Sequence, residues 1–251
     1  MVGFGISRQM PRNLITTGAQ HRGQCRSMIK DEDRQMRKRN HGERHQILHP
    51  SPWPGTHILN TARQLNERCI ELLIEVSQSG NRSHRFSGVY DDPGLWVRAA
   101  DGRVRSRVAR CPVLLLDLNF QRVDWWTRVC HAEPCAMGHP SIASGFTTEQ
   151  ATPLVRGILM EAWSIARSMP HAASLVFGMA PSVTAGIARL GASDIDRIVV
   201  LCAPHLRPRW EDRPGFWKSL LCASLDTDDQ VLANVHLHSL QLLGSEFVLH
   251  H

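Results

Sequence analysis

Sheet-forming chemistry is scarce in this chain of 251 residues. It has one tyrosine and few runs in which polar and apolar residues alternate, which points away from a β architecture and towards an all-α fold. No apolar run approaches the roughly 20 residues needed to span a bilayer. The N-terminus lacks the apolar core of a signal peptide, so a cytoplasmic protein with no membrane partner is expected. Lysine is nearly missing: only Lys30, Lys38 and Lys218 occur, and arginine carries the rest of the positive charge. Seven cysteines, odd in number and scattered, do not form a disulfide framework. The chain has no glycine-rich phosphate loop, no Gly-x-Ser-x-Gly elbow, and no spacing that sets a nucleophile beside a base. A non-enzymatic protein without a cofactor is the expectation. Cys130, His131, Cys135 and His139 carry metal-capable donors, but they crowd together with no second pair, so no metal site is expected.

What is present is an uneven charge distribution and a set of amphipathic helices. Residues 1–57 hold ten Lys and Arg against four Asp and Glu, while residues 58–251 hold nineteen of each. The net charge of +6 therefore belongs to the N-terminal segment, and the body is neutral. Residues 1–57 show no sustained periodicity and read as a disordered basic tail. Its run Arg34 to Arg39 is either solvated or a contact for nucleic acid or an acidic partner. A hydrophobic content of 42% is enough for a packed core in the remainder.

In residues 58–78, Leu59, Ala62, Leu65, Cys69, Leu72, Leu73 and Val76 recur at helical spacing, with Asn66, Glu67, Glu71 and Glu75 elsewhere on the wheel. Leu65, Cys69 and Leu72 are candidates for a homodimer interface on that stripe. Leu95 to Arg110 reads as one helix bearing a basic surface of Arg103, Arg105, Arg107 and Arg110. Val113 to Phe120 is short and apolar, compatible with a buried strand or a buried helix, and its uninterrupted continuation to Val129 favours helix. Trp125 and Trp126 suit a helix end or an interface. Residues 131–146 read as a linker between a helical subdomain at 58–130 and another at 147–251. Thr147 and Gln150 have capping-box spacing, and Leu154, Ile158, Leu159, Ala162, Ile165 and Ala166 follow as one face. Two further helices are expected at Phe216 to Leu225 and Val231 to Leu249.

The stretch Met160 to Trp210 has the most definite punctuation. Gly178 ends one helix, where a positive φ is often required, and Pro181 suits the first turn of the next. Val183, Ile187 and Leu190 lie on one face of that second helix. Gly191 closes it, and Ser193 is placed to cap a third with Ile195, Ile198, Val199 and Cys202 inside. Two short helices joined by a glycine turn have the shape of a helix-turn-helix. The same pattern also describes a helical hairpin that fills a core.

The residues Glu161 to Arg167 followed by Ala172 to Ala180 resemble the middle of the flagellar master-regulator family FlhD, and Ile187 to Ile198 resembles its continuation. His205 to Trp210 takes the place of that family's basic and aromatic segment, although Pro204 and Pro208 depart from the family's course. The resemblance spans about residues 155–210. It implies a small all-α, dimeric transcription activator of bacterial flagellum biogenesis, or of motility or secretion genes, that works with a partner subunit at promoters. On that reading the DNA-binding candidates are Arg189, Arg197, Arg207 and Arg209, with Trp210 packing behind them. The alternative is a non-catalytic helical adaptor or interaction protein, such as a secretion-associated one, without direct DNA contact. The whole chain is expected to be a multi-helix bundle with a helix-turn-helix-like unit.

Because the tail can bury no core of its own, removing residues 1–50 is expected to leave the thermal unfolding midpoint of the body within about 2 °C of the full chain. A larger fall would show that the tail packs on the body.

Overall fold

Helix α1 (Pro54–Gln78) begins as an amphipathic helix and ends as a buried one. In its first half Ile58, Ala62 and Leu65 face inward; further on, Cys69, Ile70, Leu72, Leu73, Ile74 and Val76 are all buried, so the helix is enclosed on several sides. The computed structural model describes residues 54–78, 89, 92–131 and 146–249, and everything below concerns these. The expectation of a disordered tail lies outside them for residues 1–53, but its last four residues already belong to α1. Most of the 131–146 linker, with Cys135 and His139, also lies outside them.

Around α1 stand α2 (Pro93–Ala99), α3 (Gly102–Val108), α5 (Thr148–Ser168) and α6 (Pro170–Phe177). Helix α5 is a platform for α6, α7 (Pro181–Ala188) and α8 (Ala192–Cys202), and α4 (Val123–Cys130) packs on α7 and α8. On the other side α9 (Pro214–Leu225) packs on α2, α3 and α10 (Asp229–Leu249). A two-residue strand β1 (Leu116–Asp117) pairs antiparallel with β2 (Arg207–Pro208), with Leu116 opposite Pro208 and Asp117 opposite Arg207. The fold class is all-α, as the composition implies.

Local chemistry explains the element ends. Thr147 accepts from Gln150 N while the Gln150 side chain accepts from Thr147 N, the capping box its spacing predicts. Pro170 and Pro181 open α6 and α7, where a missing N–H costs nothing. Gly178 closes α6 at φ 64°.

Several expectations need correction. The helix expected at 95–110 is two helices, because Asp101 accepts from Arg103 N and starts α3 afresh. Val113 to Phe120 is not helical: it bends into the two-residue strand Leu116–Asp117 and turns at Phe120, and Val113 to Leu116 and Leu118 are all buried, so no alternation betrays the strand. Asn119 at φ 57° then turns the chain into α4. The N-cap of α8 is Gly191, whose N–H donates to Asp194, and Ser193 lies inside the first turn. The subdomain division at 131–146 is not where packing divides. Residues 52–251 form one unit, β1 pairs with β2 across that boundary, and a continuous core runs from Ile58 to Leu243.

Leu65, Cys69 and Leu72 sit inside this core, with Cys69 fully enclosed and its thiol pushed up in pKa by burial. They are core residues and not a dimer surface, because the subunit's own helices already cover the stripe. Asn66 is buried rather than on the outer side. Its amide donates to the carbonyls of Cys111 (3.1 Å) and Val113 (3.0 Å), and its oxygen accepts from Leu115 N (2.8 Å). One side chain thus replaces the strand neighbour that the extended segment lacks on that edge. Asn66→Leu, of similar volume, is expected to lower stability by about 3 kcal/mol, since three buried backbone groups lose their partner. Chemical denaturation measures it, and a loss below about 1 kcal/mol would show that these groups find other partners.

Candidate nucleic-acid interface

The four arginines proposed to meet DNA have four different surroundings. Arg189 follows the last residue of α7 and is exposed, with no ion pair among the described residues. Arg197 is half-buried on α8. Its Nη1 donates to the Val129 carbonyl at the end of α4 (3.1 Å), and Asp194 lies 3.7 Å from its Nη2. A cation there satisfies an orphan carbonyl and suits the helix C-terminus. Arg207 projects from β2, but Asp117 takes two of its donors, at 3.0 and 2.6 Å, and Glu211 stands 3.6 Å away. Burial disfavours the Asp117 carboxylate, yet Arg209 and Arg207 outweigh it and hold its pKa below the ordinary value.

Arg209 lies inside the protein at 2% exposure. Its Nε donates to Leu114 O (3.0 Å), Nη2 to Phe177 O (2.7 Å) and Nη1 to Glu246 (2.9 Å). Its own N–H donates to Leu115 O, and its carbonyl accepts from Trp217 Nε1. Every part of the residue is committed, so Arg209 is out of reach of a phosphate, and the DNA-contact expectation for it is withdrawn. Trp210 is buried beside it, as expected, donating to the second oxygen of Glu246 (2.6 Å). The residues that complete this centre, Asp117, Gly178 and Glu246, were not singled out from sequence. The available signal was a lone acid within an apolar run for Asp117 and for Glu246.

Two helices with a glycine break form where the helix-turn-helix-like unit is expected. Helices α6 and α7 are eight residues each and meet at a bend of 118° across Gly178–Ala180. The Ser174 hydroxyl bonds the Thr184 hydroxyl across the turn (2.8 Å). The outward face of α7 consists of Pro181, Ser182, Ala185 and Arg189, which offers one hydroxyl and one cation. The outward face of α8 adds Ser193, Asp196 and Val200, and Asp196 pairs with Arg156. Direct base readout needs more donors than this. On α3, Arg105 pairs with Glu71 (3.6 Å), and Arg107 turns inward to Ser224 O and Asp229. Arg103 and Arg110 remain at the surface.

Among the described residues no single helix is long and apolar enough to cross a membrane; the bent pair α6–α7 is apolar because it is core. No protein-family model, curated protein or solved structure matches this chain.

The position of Gly178 tests the role of Arg209. A Cβ on Gly178 would lie 2.2 Å from Arg209 Nη1, besides meeting the strain of a left-handed backbone. Gly178→Ala and Arg209→Ala are each expected to cost about 3–5 kcal/mol of stability. The double variant is expected to lose clearly less than the sum, because removing the guanidinium removes the clash. Additive losses, or an Arg209→Ala protein of full stability, would refute the buried arrangement in solution.

Proposed function

We propose that this chain is an FlhD-like transcription regulator that acts in the cytoplasm on motility or secretion genes and reaches its promoters together with a partner subunit. The observation that carries the reading is the unit α6–Gly178–α7, two short helices held at a bend of 118° on the α5 platform with α8 beside them. It coincides with the stretch that resembles the FlhD family. The limited charge of its outer face supports the shared nature of the contact. Arg189 is available, Arg207 and Arg197 are partly available, and a neutral body adds no general attraction to phosphate. Binding by this chain alone is therefore weak, and the partner supplies most of the electrostatic grip.

A second reading, a helical adaptor without DNA contact, is favoured by one observation. Arg197, Arg207 and Arg209 all make bonds within the protein. A mobility-shift titration over several salt concentrations, on promoter DNA recovered with the protein from its native cell, separates the two. The protein with its co-purified partner is expected to bind. Arg189→Ala with Arg207→Ala is expected to lower the slope of log affinity against log salt by about one to two, from about 0.9 per phosphate contact. An unchanged slope places the contact elsewhere, and no shift under any condition leaves the adaptor.

A further inference from the structure

Helix α10 carries large apolar side chains on both sides, those of the outer side interspersed with uncharged polar residues such as Gln241 and Ser245. Its inner side carries Leu232, Ser239, Leu242 and Leu243, all buried. Its outer side carries Leu237 at 56% exposure, Leu240 at 43% and Val248 at 77%. With 100° between successive residues, Ala233, Leu237, Leu240, Gln241, Gly244 and Val248 fall within an arc of about 100° on the outer side, a stripe about 22 Å long. Other exposed apolar side chains such as Val97, Leu175 and Val200 stand alone on their helices. Isolated exposure of that kind is ordinary; a continuous stripe is not.

Charge and relief say what fits the stripe. Residues 230–245 contain no Lys, Arg, Asp or Glu. A charged partner would therefore be desolvated here with nothing to pair it, whereas two copies of this face bring no like charges together. Gly244 stands in a shallow depression bordered by Gln241, Ser245 and Val248, and nothing lies within 4 Å of where its Cβ would be. The large residues stand where an antiparallel copy has small ones. With a two-fold axis between positions 240 and 241, Leu237 meets Gly244, Val248 meets Ala233, and Leu240 meets the stem of Gln241. Each contact occurs twice, as a closed two-fold interface requires. Close approach at Gly244 lets the Leu237 side chain enter the depression of the facing helix.

We infer that the outer face of α10 is a self-association surface on which a second copy of this chain docks antiparallel, Leu237 of each copy seated over Gly244 of the other. The stripe lies outside the stretch that resembles FlhD, and the inference stands whether or not the protein meets DNA. The interface is small, so the dimer is of the weak, concentration-dependent kind.

Analytical ultracentrifugation of the full chain tests it. The wild type is expected to be dimeric at about 100 µM and to dissociate towards about 1 µM. Leu237→Glu is expected to be monomeric throughout, with an unchanged circular dichroism spectrum and melting point, since that side chain is exposed. Leu237→Ala and Gly244→Leu each weaken association at least about tenfold, by removing the knob or filling the hole. Combined in one chain they exchange knob and hole, so the double variant is expected to recover most of the dimer. A wild type that stays monomeric at about 100 µM, a dimer that survives Leu237→Glu, or a double variant no better than its parents overturns the inference. A monomer that forms a complex only with a different protein, lost in Leu237→Glu, overturns it too and assigns the face to that partner.

Discussion

The rest of the structure depends on a buried guanidinium. Arg209 ties the last carbonyl of α6, the Leu114 carbonyl of the extended segment, and Glu246 near the end of α10 to one planar head. A buried charge costs several kcal/mol in lost hydration, and good geometry with full hydrogen bonding is what offsets it. Arginine meets that demand better than lysine, because its five donors lie in a rigid fork and it does not neutralise on burial. The constraint spreads outward. Gly178 must be glycine where the guanidinium approaches it. Asp117 must stay ionised at the edge of the network, and its second oxygen then fixes Arg207. Glu246 holds Trp210 with its other oxygen, and the Trp210 ring packs edge-on against Phe216 of α9. Four parts of the chain that are far apart in sequence are thereby set in one register.

Asn66 does for the middle of the extended segment what Arg209 does for its end. Residues 113–118 run through the core with only a two-residue strand partner. Their backbone groups would be costly to bury without further partners. The carbonyls of Cys111, Val113, Leu114 and Leu115 are met by Asn66, Arg209 and the Arg209 backbone, and the N–H groups of Leu114 and Leu115 by Val176 O and Asn66. A helical protein can thus carry a buried extended strap, provided that side chains supply the ladder which a sheet would normally provide.

Periodicity made the helices legible, and punctuation made their ends legible. The stripe from Ala62 to Val76, the Thr147–Gln150 box and the Gly178 break were readable because each is a local cause with a local effect, whereas Leu59, read on the same stripe, is exposed and Ile58 takes the inward place. The strap was misread because a short, fully buried apolar run has no period, and what keeps it extended lies in Asn66 and Arg209, some 49 and 94 positions away in the pairs made with Leu115. The roles of the arginines were misread for the same reason. Sequence shows that Arg207 and Arg209 are cations near a tryptophan, but whether a cation points to solvent or to a carbonyl is decided by the segment it packs against. Asp117 and Glu246 were the missing half of that decision. Leu65, Cys69 and Leu72 read as a dimer stripe because burial inside a subunit and burial between subunits leave the same pattern in α1.

Seven arginines of the described body take part in holding the fold or in surface pairs. Arg107, Arg197, Arg207 and Arg209 all bond backbone carbonyls or acids of their own chain, and Arg63, Arg105 and Arg156 pair with acids on the surface. What limits long-range attraction is the balance of nineteen basic and nineteen acidic residues at 58–251, since such attraction acts through uncompensated charge. Shape and apolar area are a second means of recognition. Two outward features among the described residues are of that kind: the nearly uncharged elbow of α6 and α7, and the charge-free stripe of α10. The net positive charge of the chain, by contrast, lies at 1–57, so the neutral body adds little general attraction to nucleic acid of its own.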